Sequence, residues 1–165
     1  HESGHAIAGK YLEHTDPVHY ITIIPRGQAG GFTLFRPQED LENFKSRSEM
    51  YENIVMSLGG RIAEKLFLDD ISTGASGDLE QATRVATAMI TAYGMDESFG
   101  LAAMDQRAAQ NDPEVKKRVN EILGEEMRYT VELIKNNKYR IDRMVDALMK
   151  KNKLTGEEME ELLKE

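Results

Sequence analysis

His1-Glu2-Ser3-Gly4-His5 opens the chain, and the stretch HESGHAIAGKYLEH over residues 1–14 decides how the rest is read. Ala6, Ile7, Ala8, Tyr11 and Leu12 make it dense enough in apolar and small residues for a largely buried helix. On a helix, residues four apart are separated by roughly 40° and about 6 Å of rise. His1 and His5 therefore present two imidazoles to one ion from the same face. Glu2 lies about 100° round from His1, where it reaches a water on that ion rather than the ion itself. Two ligands and a general base on one short helix are what H-E-x-x-H offers to zinc hydrolysis. A pentapeptide recurs by chance and can be no more than a polar helix start. Its neighbours add weight: Gly4 and Ala6 permit close packing, and AIAGKYL is apolar enough to bury the pair, and buried histidines need partners.

Composition limits what such a site can be. A length of 165 residues suggests one domain, or a compact core with a helical appendage. Apolar residues are 40% of the chain, enough for a core at this length. A net charge of −8 argues against nucleic acid as a partner, because phosphate binding needs a surplus of Lys and Arg on one face. Cysteine is absent, which excludes disulfides, thiolate ligands and cysteine nucleophiles; any metal must use His, Asp or Glu. No apolar run approaches the roughly 18 residues that span a bilayer, and no signal peptide is visible. A helix that begins at the first histidine of its motif has no N-cap or preceding turn. The expectation is a piece of something longer; were His1 the true terminus, its free amine would lie beside the site.

The pattern predicts a mainly α chain with one small β-hairpin beside the H-E-x-x-H helix. Asp16-Pro17 breaks that helix. VHYITIIP alternates Val18, Tyr20 and Thr22 against His19, Ile21 and Ile23 and stops at Pro25; RGQAGG turns, and FTLFRP forms the second strand, so residues 18–36 read as the hairpin. Ser46 and Glu49 form a capping box before a helix with an apolar stripe from Met50 to Phe67. Gly59-Gly60 interrupts it at a cost of about 1 kcal/mol each against alanine, which points to close approach of another helix or a cofactor. LDDISTGASGD is a loop; a helix follows and ends at Gly94. Residues 95–112 read as irregular. Asp112-Pro113 starts a long helix, a further helix covers about 138–151, and Thr155 with Glu158 caps the last one. Residues 1–100 carry the motifs, and 101–165 are C-terminal helices.

Catalytic zinc takes three protein ligands and leaves one position open. A third histidine six residues beyond the second would fall on Tyr11, so that extension is absent. His14 and His19 read as structural or surface groups. Glu64, on the glycine-thinned helix, and Asp78, at a loop-to-helix junction, compete for the role. Asp78 with Gln81 also suits an ordinary N-cap, and Glu64 suits a solvated or paired helix residue. Spacing leaves these options open. The GGFTLF strand, read as a sheet edge, would pair with an unfolded peptide by β-augmentation, with Gly30 and Gly31 admitting the peptide backbone next to Phe32 and Thr33; the alternative is a hairpin packed on the first helix.

HESGHA, DPVHYITIIPRG, GGFT, LGGRIAE and DISTGASGDLEQAT occur in this order, before a helix ending in YGM. Together they resemble the peptidase domain of the FtsH-type proteases, the membrane-anchored, ATP-dependent zinc metalloproteases. The resemblance is close over roughly 1–100. It implies zinc on His1, His5 and Asp78, with Glu2 catalytic and Glu64 steering a histidine near the metal. Ser3 stands where alanine is commoner in the family, with no expected consequence. The implied reaction is cleavage of peptide bonds in unfolded polypeptides by a zinc-activated water that Glu2 deprotonates. Ligand type and family favour zinc, although His and carboxylate also accept manganese, cobalt or nickel. The resemblance further implies an ATPase domain that uses ATP, a homo-hexamer, unfolded or membrane protein substrates, and a membrane-associated protein whose peptidase domain lies on the cytoplasmic side of a bacterial inner membrane. This stretch has no G-x-x-x-x-G-K-[ST] loop and no span, so it is at most the soluble peptidase part. The competing reading is a catalytically silent ring-assembly module with a structural or vestigial metal site.

Overall fold

The structure is a computed structural model and describes residues 1–37 and 44–164. Its centre is α1 (Glu2–Tyr11), in which every residue from Ser3 to Gly9 is buried. Helix α2 (Arg47–Leu68) crosses it at backbone contact. A Cβ on Gly4 would lie 2.3 Å from the Gly59 carbonyl oxygen, and one on Gly59 would lie 2.7 Å from that of Gly4. Two facing positions without side chains thus set how close the helices come. α2 begins at its capping box: Ser46 Oγ accepts from Glu49 N–H at 3.2 Å, and Glu49 accepts from Ser46 N–H at 2.6 Å.

Strands β1 (Val18–Thr22) and β2 (Phe32–Phe35) form the expected hairpin, with Tyr20 opposite Leu34, Ile21 opposite Thr33 and Thr22 opposite Phe32. The sheet has a third strand, β3 (Lys153–Thr155), antiparallel to β1, so the order is β2-β1-β3. A lone hairpin is marginal in water; here β1 gains a partner on each side, and Ile21 is fully buried. Three residues are too few to show alternation. Thr155 ends β3 and also caps the next helix, accepting from Glu158 N–H at 3.1 Å, so its capping signal hides the strand. β2 remains an edge.

Around this unit pack a short 3₁₀ turn (Thr73–Ala75), α3 (Ser76–Thr91), α4 (Gln106–Asn111), α5 (Pro113–Asn136), α6 (Lys138–Lys151) and α7 (Gly156–Leu163). Ile54, Ile62, Met89, Ile122, Ile134, Met144 and Met159 join them in one apolar core. Helix α4 corrects the irregular reading of 95–112. Asp105 supplies its cap by accepting from the Arg107 and Ala108 N–H groups, but one and a half turns carry no periodic signal. α1 also ends earlier than residue 14. Glu52 accepts the Glu13 and His14 N–H groups, and the Thr15 hydroxyl donates to the Gly9 carbonyl, so the chain leaves the helix with its polar groups paired. Among the described residues no helix is long and apolar enough to cross a membrane.

Buried Asp96, in the turn after α3, accepts from Arg118 Nε of α5 at 2.5 Å and from Ser98 Oγ and N–H. Burial opposes its ionisation, but the Ser98 and Arg118 bonds prevail and hold the carboxyl below its usual value. A carboxylate with a depressed folded pKa stabilises the fold fully above its unfolded value of about 3.9 and loses that contribution as pH falls through the folded one. Asp96→Asn is therefore expected to cost about 1.5–3 kcal/mol at pH 7. Urea unfolding of both proteins should show the gap narrowing below about pH 4; a gap that is flat with pH would count against the ion pair.

Candidate metal centre

The first turn of α1, the middle of α2 and the first turn of α3 converge on one cleft of ≈ 660 Å³. His1 and His5 project from α1 with their Nε2 atoms 3.1 Å apart. Asp78 Oδ2 lies 3.1 Å from His1 Nε2 and 3.2 Å from His5 Nε2. The three atoms form a nearly equilateral triangle, which Asp78 closes from 73 positions beyond His5 in the chain. Asp78 stands in the first turn of α3, whose N-cap is Ala75, so the ordinary-cap reading of Asp78 does not hold.

The opposite ring nitrogens identify the tautomers. His5 Nδ1 is 2.8 Å from the Met56 carbonyl oxygen, which can only accept. His1 Nδ1 is 3.2 Å from Glu64 Oε1. Both Nδ1 atoms thus donate, and both Nε2 lone pairs turn inward with the Asp78 carboxylate. Three acceptors face one another with no donor between them. Such a cluster is relieved by a cation, or in part by protonation. The titration shifts have that sign. Protonated on Nε2, His1 would donate to Asp78, and this bond raises the His1 pKa against the opposing effect of burial. Burial disfavours the Asp78 anion, but the hydrogen bonds and charges that His1 and His5 offer when protonated outweigh it and hold the carboxyl far below the usual range. Zinc bonds to nitrogen and carboxylate oxygen at about 2.0–2.2 Å imply a tetrahedral edge of roughly 3.3–3.6 Å. The triangle of 3.1–3.2 Å has the shape of one face of such a tetrahedron and needs to widen by only a few tenths of an ångström, so the residues present fit this metal.

The surroundings keep the triangle in place. Glu64 accepts from His1 with one oxygen and receives the Ser72 hydroxyl at 2.9 Å; its other oxygen receives the Ser72 N–H at 3.2 Å. Burial raises the Glu64 pKa, but these bonds bring it below its ordinary value. Ser72 Oγ in turn accepts from Gly74 N–H at 3.1 Å, in the turn leading to Asp78. One hydrogen-bonded chain thus runs from His1 to the loop that delivers the carboxylate. Glu64 meets the outer nitrogen of His1, whereas Asp78 meets the inner nitrogens of both histidines. Gly60 forms the floor: a Cβ there would lie 2.6 Å from His5 Nε2 and 2.7 Å from His1 Nε2. The paired glycines therefore divide the two causes expected of them, Gly59 facing a helix and Gly60 the imidazoles. Ser72 and the Met56 carbonyl were missed by sequence reasoning. The S-T-G turn is a weak signal for the first, and a backbone carbonyl has none.

Glu2, Gly30, Gly31, Phe32 and Thr33 line the same cleft. Around Gly30 there is open space, while a Cβ on Gly31 would meet the Thr22 carbonyl oxygen at 2.6 Å and Glu2 Cγ at 3.3 Å. The Phe32 ring lies edge-on to Tyr20 at 5.3 Å, and the Thr33 hydroxyl reaches Glu2. His14 pairs with Glu52 at an exposed position, and His19 faces Arg36; neither lines the cleft.

The model of peptidase family M41 matches residues 1–162. The chain belongs to this family. As an M41 chain it is an FtsH-type metallopeptidase domain, and its relatives agree. It is 41% identical to ATP-dependent zinc metalloprotease FtsH 1 of Thermoanaerobacter sp. (strain X514), over 98% of this chain and 29% of that protein. It is 44% identical to ATP-dependent zinc metalloprotease FtsH of Veillonella parvula, over 91% of this chain and 22% of that protein. FtsH 2 of Alkaliphilus metalliredigens is 41% identical over 97% of this chain. The M41 chain thus spans less than a third of the length of these relatives.

Proposed function

We propose that this chain is the zinc endopeptidase domain of an ATP-dependent FtsH-type protease, with His1, His5 and Asp78 holding the metal. The observation that carries the reading is the convergence of three acceptor atoms within 3.2 Å of one another, in a cleft shared with Glu2. Glu64 fixes the His1 ring through Nδ1, and the Met56 carbonyl does the same for His5. When bound, zinc supplies a Lewis acid that polarises the scissile carbonyl and lets water act as a nucleophile near neutral pH. Glu2 accepts a proton as the water oxygen bonds to the carbonyl carbon, then delivers it to the amide nitrogen as the C–N bond breaks. No covalent bond to the protein is required.

The substrate is an unfolded peptide added to the free edge of β2. Backbone pairing there reads little of the side chains, which suits a protease of broad preference. The open space at Gly30 leaves room for the added strand. Gly31 has a sufficient cause inside the fold, in Thr22 and Glu2. In the whole protein an ATPase domain would unfold proteins, membrane proteins among them, and feed them to a homo-hexameric peptidase ring, anchored in the membrane with this domain on the cytoplasmic side.

Zinc removal tests the reading. The protein should hold about one zinc per chain, as a three-ligand site predicts, and cleave a flexible fluorogenic peptide. Dialysis against a chelator should abolish cleavage and zinc should restore it, while a folded substrate stays intact without the ATPase. Undiminished cleavage by metal-free protein would sink the proposal.

A further inference from the structure

Glu2 is held by more than its own helix. The Thr33 hydroxyl lies 3.1 Å from Glu2 Oε2 and 2.9 Å from the Glu2 backbone carbonyl oxygen. Thr33 sits in β2 opposite Ile21, which is fully buried in the core. A one-residue slip of β2 would turn Thr33 to the other face of the sheet, so core packing fixes where the hydroxyl points. Two residues earlier, Gly31 lies against the Glu2 side chain, close enough that a Cβ would come within 3.3 Å of Cγ. The carboxylate thus lies along β2, with one oxygen engaged by a strand residue.

We propose that Thr33 is a positioning residue for the catalytic Glu2, a role that rests on Glu2 acting as the general base. A hydroxyl has one donor and two acceptor sites, which suits a partner whose charge changes during the reaction. While Glu2 is a carboxylate, the Thr33 proton goes to Oε2 and leaves Oε1 to take the proton from water. Once Oε1 is protonated, the weaker acceptor Oε2 lets the Thr33 proton shift to the Glu2 backbone carbonyl without the side chain moving. The same hydroxyl thus serves both halves of the proton transfer and ties the base to the strand on which the peptide is laid.

Thr33→Val keeps the β-branched shape and strand preference and removes the hydroxyl; Thr33→Ser restores it. In zinc-loaded protein with a flexible peptide, Thr33→Val should lower kcat about 10- to 100-fold, the usual scale for losing an orienting hydrogen bond beside a metal site. KM, zinc content and melting temperature should stay near wild type, and Thr33→Ser should recover most of kcat. A Thr33→Val kcat within about twofold of wild type, well short of the 10-fold lower end of that scale, would overturn the assignment. So would a loss seen mainly in KM and not rescued by Ser, which would make Thr33 only part of the strand that binds peptide. Failure of the underlying reading has a separate signature: Glu2→Gln as active as wild type, whatever Thr33 does.

Discussion

Glu2→Gln will leave zinc in the protein and stop peptide cleavage. Glutamine keeps the length and shape of the side chain and offers the Thr33 hydroxyl a partner, so the cleft should be undisturbed. It cannot accept a proton. General-base catalysis contributes about 10²- to 10⁴-fold, and in the proposed reaction one carboxylate acts twice, on the water and on the leaving amine. The rate should therefore fall by about 10³-fold or more. Metal content should not change, because Glu2 is not among the three convergent atoms. Elemental analysis and initial rates on one preparation settle both points. A variant that loses zinc and activity together would make Glu2 a structural support of the centre. A variant that keeps both would remove Glu2 from the proton transfer, whereas zinc-loaded wild type that cleaves no peptide would favour a silent assembly module with a metal site.

What could be read before any coordinates follows from the range of the interactions. The motif on α1 depends on helical period alone, so His1, Glu2 and His5 declare themselves at four-residue spacing. Capping boxes at Ser46 and Thr155 are equally local and appear in the structure with both of their bonds. The partner of the histidine pair is not local. Asp78 and Glu64 are both carboxylates on well-formed helices, and nothing in their spacing says which reaches the inner nitrogens; family resemblance, not pattern, singled out Asp78. The same limit hid β3. Its three residues acquire strand geometry only because β1 is there to pair with, across some 130 residues of chain. Gly60 lies between these cases. A glycine pair inside an apolar helix signals close approach, but only the crossing of α1 and α2 puts Gly59 under a backbone and Gly60 under the imidazoles.

Asp78→Ala removes one corner of the triangle, and its largest effect should be on the metal. Two imidazoles remain, held in their tautomers by Met56 and Glu64. A lost partner of a ligand typically costs 10- to 100-fold in affinity; a lost ligand should cost more than about 100-fold. Linkage turns this into a stability measurement. Zinc at about 1,000 times its dissociation constant stabilises the fold by roughly 4 kcal/mol, and after a 100-fold loss of affinity by roughly 1.4 kcal/mol. For a chain of this size the zinc-induced rise in melting temperature should then shrink by about 5–10 °C. The comparison is made within each protein, with and without zinc, so loss of the Asp78 hydrogen bonds from the metal-free form cancels. Zinc per chain after dialysis should fall well below one in the variant. An undiminished zinc-induced shift would remove Asp78 from the ligand set and leave Glu64 as the next carboxylate. That outcome would require His1 to turn over, because Glu64 now meets only its outer nitrogen. Glu64→Gln separates the two cases. As a support for the His1 ring it should weaken zinc by no more than about 100-fold, and as a ligand by more.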